Sequence, residues 1–158
     1  MQIKNSVALV TGANRGIGRA FVEALLSGGA SRVYATARTA RTLDAVVALD
    51  PTRVHAITLD VKNMSDVKNA ATVASDVSLL INNAAVLNSG GLTDIPLQIV
   101  RDDMETNFFG TLNVVNAFAP TLERNSGAVV NMLTLLSMAS MPGLASYNAS
   151  KAEFLYRV

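Results

Sequence analysis

Four apolar residues, V-A-L-V at 7–10, run directly into T-G-A-N-R-G-I-G, and a stretch with helical spacing follows at once. No other feature constrains the fold as tightly. Gly12, Gly16 and Gly18 lack a Cβ, so the backbone there can turn sharply and come close to a bound group. A helix opening at that point offers unpaired N–H groups and a partial positive charge. Strand, glycine loop and helix in this order make a seat for the pyrophosphate of a dinucleotide. The spacing is G-x-x-x-G-x-G rather than the commoner G-x-G-x-x-G, so the position of the loop carries the reading more than the glycine pattern does. A purely structural tight turn is the alternative that the pattern leaves open.

The same rhythm continues down the chain. Apolar, β-rich runs at 7–10, 32–36, 54–59, 79–81 and 128–132 alternate with helical stretches at 17–27, 42–49, 65–74 and 97–124, and a last helix begins near Ser146. Each strand is too uniformly apolar to be half-exposed, which predicts a parallel sheet covered on both faces. Gly28 and Gly29 stop the first helix, and N-S-G-G at 88–91 and M-P-G at 141–143 are loops. The expected architecture is a doubly wound α/β fold with right-handed crossovers. With 158 residues, half of them hydrophobic, the chain has material for one buried core and too little for two, so residues 1–158 form a single domain.

Composition narrows the partners. Thirteen Lys and Arg against twelve Asp and Glu, scattered along the chain, leave no footprint for nucleic acid or a membrane surface. Small molecules or further copies of the chain are the expected partners. Without cysteine and with a single histidine there is no disulfide and no material for a transition-metal site, which fits a cytoplasmic protein. The N-terminal segment carries no signal-peptide pattern, and no apolar run approaches the about 18 residues of a membrane span. His55 reads as an ordinary strand residue, and Met132, Met138 and Met141 as gap-filling packing.

Chemistry-bearing residues gather near the expected carboxyl ends of the strands. Ala37 and Arg38 close the second strand where an NAD-selective site would carry an acid. Arg38 and Arg15 instead suit a 2′-phosphate, the alternative being two solvated surface arginines. Tyr147 and Lys151 lie four apart and share a helix face, where the ammonium is expected to lower the pKa of the phenol. Such a pair also arises by chance on exposed helices. Thr134 and Ser137, after the fifth strand, offer hydroxyls to orient a carbonyl, and Asn107 is a polar residue within a helical stretch that otherwise turns apolar faces inward, with a buried amide satisfied by backbone as the plain alternative.

Taken in order, these motifs resemble the short-chain dehydrogenase/reductase family, which has a Rossmann-like fold. The glycine loop, with Gly12, Asn14, Arg15, Gly16, Ile17 and Gly18, is similar to the family's cofactor loop. Asp60 and Val61 in L-D-V resemble its adenine-contacting segment, and Asn83, Ala84 and Ala85 in N-N-A-A its N-N-A-G segment, with Ala85 replacing the glycine. The resemblance makes Tyr147 the acid that protonates a substrate oxygen and Lys151 the residue that tunes it and holds the nicotinamide ribose. It makes Asn107 part of a water-linked proton relay. Thirteen residues before Tyr147 the family places a serine; here that position is Thr134, which keeps the hydroxyl and adds a methyl, with Ser137 second in rank.

The implied activity is hydride transfer between NADP(H) and a carbonyl or alcohol. Relative to the family the fold is C-terminally truncated, ending shortly after the Y-x-x-x-K pair. The fifth strand, G-A-V-V-N-M-L, would then be an apolar edge without proline or lysine, which predicts a homo-oligomer. A nucleotide-binding or oligomerising fragment without turnover is the alternative function.

Overall fold

The computed structural model describes residues 2–91 and 93–152. Five strands, β1 (Val7–Val10), β2 (Arg32–Ala37), β3 (Val54–Thr58), β4 (Leu79–Asn82) and β5 (Ala128–Asn131), form one sheet in the order β3-β2-β1-β4-β5. All four pairings are parallel. The chain winds outward from β1 first in one direction and then in the other, so the strand order reverses between β1 and β4. A crevice opens at their carboxyl ends, the place where such sheets bind ligands.

Strand periodicity sorts the apolar residues onto two faces. On one, Ala8 and Val10 of β1 join Val33 and Ala35 of β2 and Leu79 and Ile81 of β4 beneath Val22 and Leu25 of α1 (Gly16–Ser27). On the other, Leu9, Tyr34 and Leu80 meet Val67 and Ala70 of α3 (Met64–Val73) and Val114 and Phe118 of α5 (Thr111–Arg124). Phe118 and Leu9 are fully buried, and each such side chain contributes about 1.5–3 kcal/mol by leaving water.

The two outer strands depart from the uniform burial expected of them. In β3, His55, Ala56 and Thr58 are exposed, and in β5 Val129 and Val130 are 40% and 39% exposed. Both strands lie at an edge, where the helices cover only part of each strand, so apolar sequence there does not imply a fully covered face. The helix expected at 42–49 is a 3₁₀ turn (Ala40–Leu43) followed by the single-turn α2 (Asp44–Val47). The one expected at 97–124 is α4 (Leu97–Met104), a π-helical turn (Glu105–Gly110) and α5. The last helix, α6, is described over Ala145–Ala152; the rest of the expected helix lies outside the described residues.

Helix N-termini differ in a way that bears on the site. The Asn63 side chain caps α3 by accepting from Ser65 N at 2.9 Å. At α1, by contrast, no side chain caps Arg15 and no acid stands in the first turn, so the amides of that turn face the crevice without an internal partner.

Candidate cofactor and active site

Gly12 and Gly16 adopt positive φ, 65° and 53°, which side-chain-bearing residues resist. At Gly18 the constraint is space: a Cβ would sit 2.1 Å from the Gly12 carbonyl oxygen and 2.6 Å from Asn83 Nδ2. The loop is held shut from across the crevice. Thr11 Oγ1 accepts from the backbone N–H groups of Asn83 (2.9 Å) and Ala84 (3.0 Å), and Asn83 Nδ2 donates to the carbonyls of Thr11 (3.0 Å) and Gly12 (3.1 Å). Asn83 therefore shapes the glycine loop with its side chain. Sequence reasoning missed Thr11, although a hydroxyl residue wedged between a buried strand and the first glycine is a signal of this kind.

A cleft of about 540 Å³ runs over this loop, and every one of the twelve nucleotide-site candidates lines it: Gly12, Asn14, Arg15, Gly16, Ile17, Gly18, Arg38, Asp60, Val61, Asn83, Ala84 and Ala85. Thr39, Thr42, Lys62 and Thr106, which the sequence did not single out, line it too. Arg15 and Arg38 are exposed, and among the described residues neither belongs to an ion pair. The Asp60 carboxylate accepts from Lys62 N at 3.0 Å, which fixes the turn after β3. Glycines with no room for Cβ, an uncapped helix N-terminus and two unpaired guanidinium groups fit a phosphate-bearing dinucleotide.

The other half of the site is built on α6. Lys151 is 6% exposed, and its Nζ donates to the Met132 carbonyl at 3.0 Å, just past the end of β5. Burial pulls its pKa below the ordinary lysine value. Tyr147 is half-buried, and its pKa is raised, first by burial and then by the negative charge of Asp103. This reverses the expected direction: the lysine is tied to a carbonyl and itself disfavoured as a cation, so burial and a carboxylate govern the phenol.

Thr134 N-caps a 3₁₀ turn (Leu135–Ser137), its Oγ1 accepting from Leu136 N at 3.3 Å, while Ser137 Oγ accepts from Thr134 N at 3.4 Å. The two hydroxyls thus serve one capping box. Ser137 is buried within it, and Thr134 is the more open of the pair.

Asn107 sits in the π-helical turn and is 1% exposed. Its Oδ1 accepts from Val86 N (2.9 Å), and its Nδ2 donates to Val86 O (2.9 Å) and Ser150 Oγ (2.9 Å). Ser150 passes the connection on by donating to the Tyr147 carbonyl at 2.8 Å. The asparagine joins the segment after β4, the π turn and the tyrosine helix. The cleft reaches Val86 and Thr106, but Asn107, Thr134, Tyr147 and Lys151 are not among its lining residues.

A family model described as short chain dehydrogenase matches residues 6–154. The fold superimposes on a short chain dehydrogenase from Burkholderia cenocepacia J2315, solved in complex with NADP, with a TM-score of 0.92 and 44% identity, covering 98% of this chain and 64% of that one. A second similar structure, a short chain dehydrogenase/reductase from Burkholderia phymatum in complex with NAD, gives 0.88 and 30% identity over 98% and 58% of the two chains. In sequence, the oxidoreductase calM of Penicillium decumbens is 31% identical over 153 residues, which is 90% of this chain and 50% of that protein. The chain therefore spans half of that curated relative and less than two thirds of either solved chain.

Proposed function

This chain belongs to the short chain dehydrogenase family, and on that premise we propose that it is an NADP(H)-dependent oxidoreductase acting on a carbonyl or alcohol. One observation carries the reading. Lys151 is buried against the Met132 carbonyl, and Thr134 caps the turn that follows, at the same carboxyl edge of the sheet that carries the nucleotide cleft. Two half-sites built on different elements share one end of one sheet.

Bound NADP(H) supplies the hydride. Arg15 and Arg38 hold its 2′-phosphate, a role supported by the missing acid at Ala37 and by the absence of competing ion pairs among the described residues. The α1 amides receive the pyrophosphate. Tyr147, a phenol that is protonated at neutral pH, gives its proton to the substrate oxygen; burial, and then the Asp103 charge, raises its pKa further. Thr134 Oγ1 already accepts from Leu136 N, which leaves its own proton to point at a carbonyl. Asn107 holds the tyrosine helix through Ser150. A cytoplasmic setting and self-association complete the reading; the first is supported by a sequence without cysteine, the second by the apolar edge at β5.

Calorimetric titration of the full 158-residue chain with NADPH, followed by turnover of small aldehydes and ketones, tests this. The expected result is saturable binding and turnover, with Tyr147→Phe abolishing turnover while NADPH affinity stays unchanged. Arg38→Ala should weaken NADPH far more than NADH; an unchanged ratio would overturn the NADP(H) assignment. A second reading, nucleotide binding without turnover, is favoured by the absence of all four catalytic candidates from the cleft lining. It predicts NADPH binding, no turnover, and no effect of Tyr147→Phe.

A further inference from the structure

Asp103, on α4, is wholly buried, and among the described residues it belongs to no ion pair. Its carboxylate is held by two neutral donors from different segments. Asn88 Nδ2, in the loop after β4, donates to Oδ1 at 2.7 Å, and Ser146 Oγ, in the first turn of α6, donates to Oδ2. The same two segments also meet through their backbones, where Gly90 N donates to Gly143 O at 2.8 Å and Ala145 N to Gly90 O at 3.4 Å. A buried carboxylate without a cation is a costly element of a fold, tolerable when hydrogen bonds satisfy both oxygens. Its donor Ser146 is one residue before Tyr147 on α6, which brings the carboxylate to the amino end of that helix, where negative charge is favoured.

We propose that Asp103 is a positioning residue for Tyr147: it clamps the first turn of α6 and the loop after β4 to α4, and sets the electrostatic surroundings of the phenol. Other charges near this junction do not compete for the role. On α4, Arg101 is exposed and Asp102 accepts from Gln98 at 3.2 Å; on the π turn, Glu105 is exposed; the 3₁₀ turn at Leu135–Ser137 carries no ionisable group. On α6 itself the other ionisable residue described is Lys151, committed to Met132 O. The raised pKa of Tyr147, to which the Asp103 charge contributes, agrees with this geometry.

The inference rests on the reading of Tyr147 as the acid, but its test needs no turnover, so the two can fail separately. In the full chain labelled at the tyrosine Cζ carbons, the titration of Tyr147 is followed through the alkaline range, with Tyr34 and Tyr156 distinguished by Tyr→Phe variants. Asp103→Asn keeps the shape and removes the charge; the Tyr147 midpoint should fall while that of Tyr34 stays in place. An unmoved Tyr147 midpoint in the folded variant overturns the proposal, whatever happens to the melting temperature. Should Asp103→Asn fail to fold, Ser146→Ala removes only one donor to the carboxylate. It should accelerate amide exchange within α6 by about tenfold or more, as expected for the loss of a hydrogen bond to a charged group, and unchanged exchange there is the overturning result.

Discussion

At Gly18 a single methyl group would enter space already taken by the Gly12 carbonyl and the Asn83 amide. Neither can retreat, since both belong to the staple between the glycine loop and the segment after β4. Gly18→Ala should therefore cost about 1–3 kcal/mol, in the range of overpacked cores, and remove NADPH binding even at temperatures where the chain is folded; urea denaturation and calorimetry read the two effects. Lys151 supplies a second test at this scale. Its folded-state pKa lies below 10.5, so between that lowered value and 10.5 the unfolded chain holds a proton that the folded chain has lost, and stability rises with pH across this window. Tyr147 works in the opposite sense: its folded pKa lies above 10.0, and stability falls as pH passes that value. Lys151→Met should abolish the rise, and Tyr147→Phe should lessen the fall, the raised pKa of buried Tyr34 supplying what remains, in urea midpoints measured across alkaline pH.

Among the elements, the helix through Asn107 separates what the sequence displays from what it conceals. Apolar periodicity over 97–124 is plain, and so is the oddity of an asparagine within it. The π turn that aims this asparagine at Val86 is invisible, because one extra residue per turn changes the hydrogen-bond ladder and barely disturbs the hydrophobic pattern. Glycine spacing exposed the nucleotide loop for the opposite reason: positive φ and close approach restrict residue type directly. Thr134 and Ser137 read as competitors for one role, and only the capping geometry reveals them as partners. Asp103 escaped notice because a buried carboxylate and a surface carboxylate look alike in one sequence. From the three bonds of its amide, Asn107→Leu should cost about 2 kcal/mol or more, since it strands polar partners at Val86 and at the fully buried Ser150. Amide exchange should quicken in α6 as well as in the π turn; acceleration confined to the π turn would mean that the link to the tyrosine helix carries no energy.

For the whole molecule, the two sheet edges are not equivalent. Along β3 the exposed side chains include His55 and Thr58, polar groups that a solvated edge tolerates. Along β5, Val129 and Val130 are partly exposed, and the segment that follows presents Leu135 at 78% and Met138 at 71% exposure. Residues 125–150 contain no Asp, Glu, Lys, Arg or His, so nothing in this stretch opposes pairing by charge. An apolar strand edge beside apolar loop residues favours association with another chain over standing in water. The 16.6 kDa chain should accordingly sediment as a species larger than a monomer, with the fraction rising with concentration. Val130→Lys places a charge on the exposed strand while leaving the buried face of β4 untouched, and should shift the chain towards monomer with little change in NADPH affinity, because the nucleotide cleft is lined by segments that follow β1, β2, β3 and β4 and by no residue of β5. A wild-type chain that remains monomeric at every concentration would show instead that the β5 edge is stable in water as it stands.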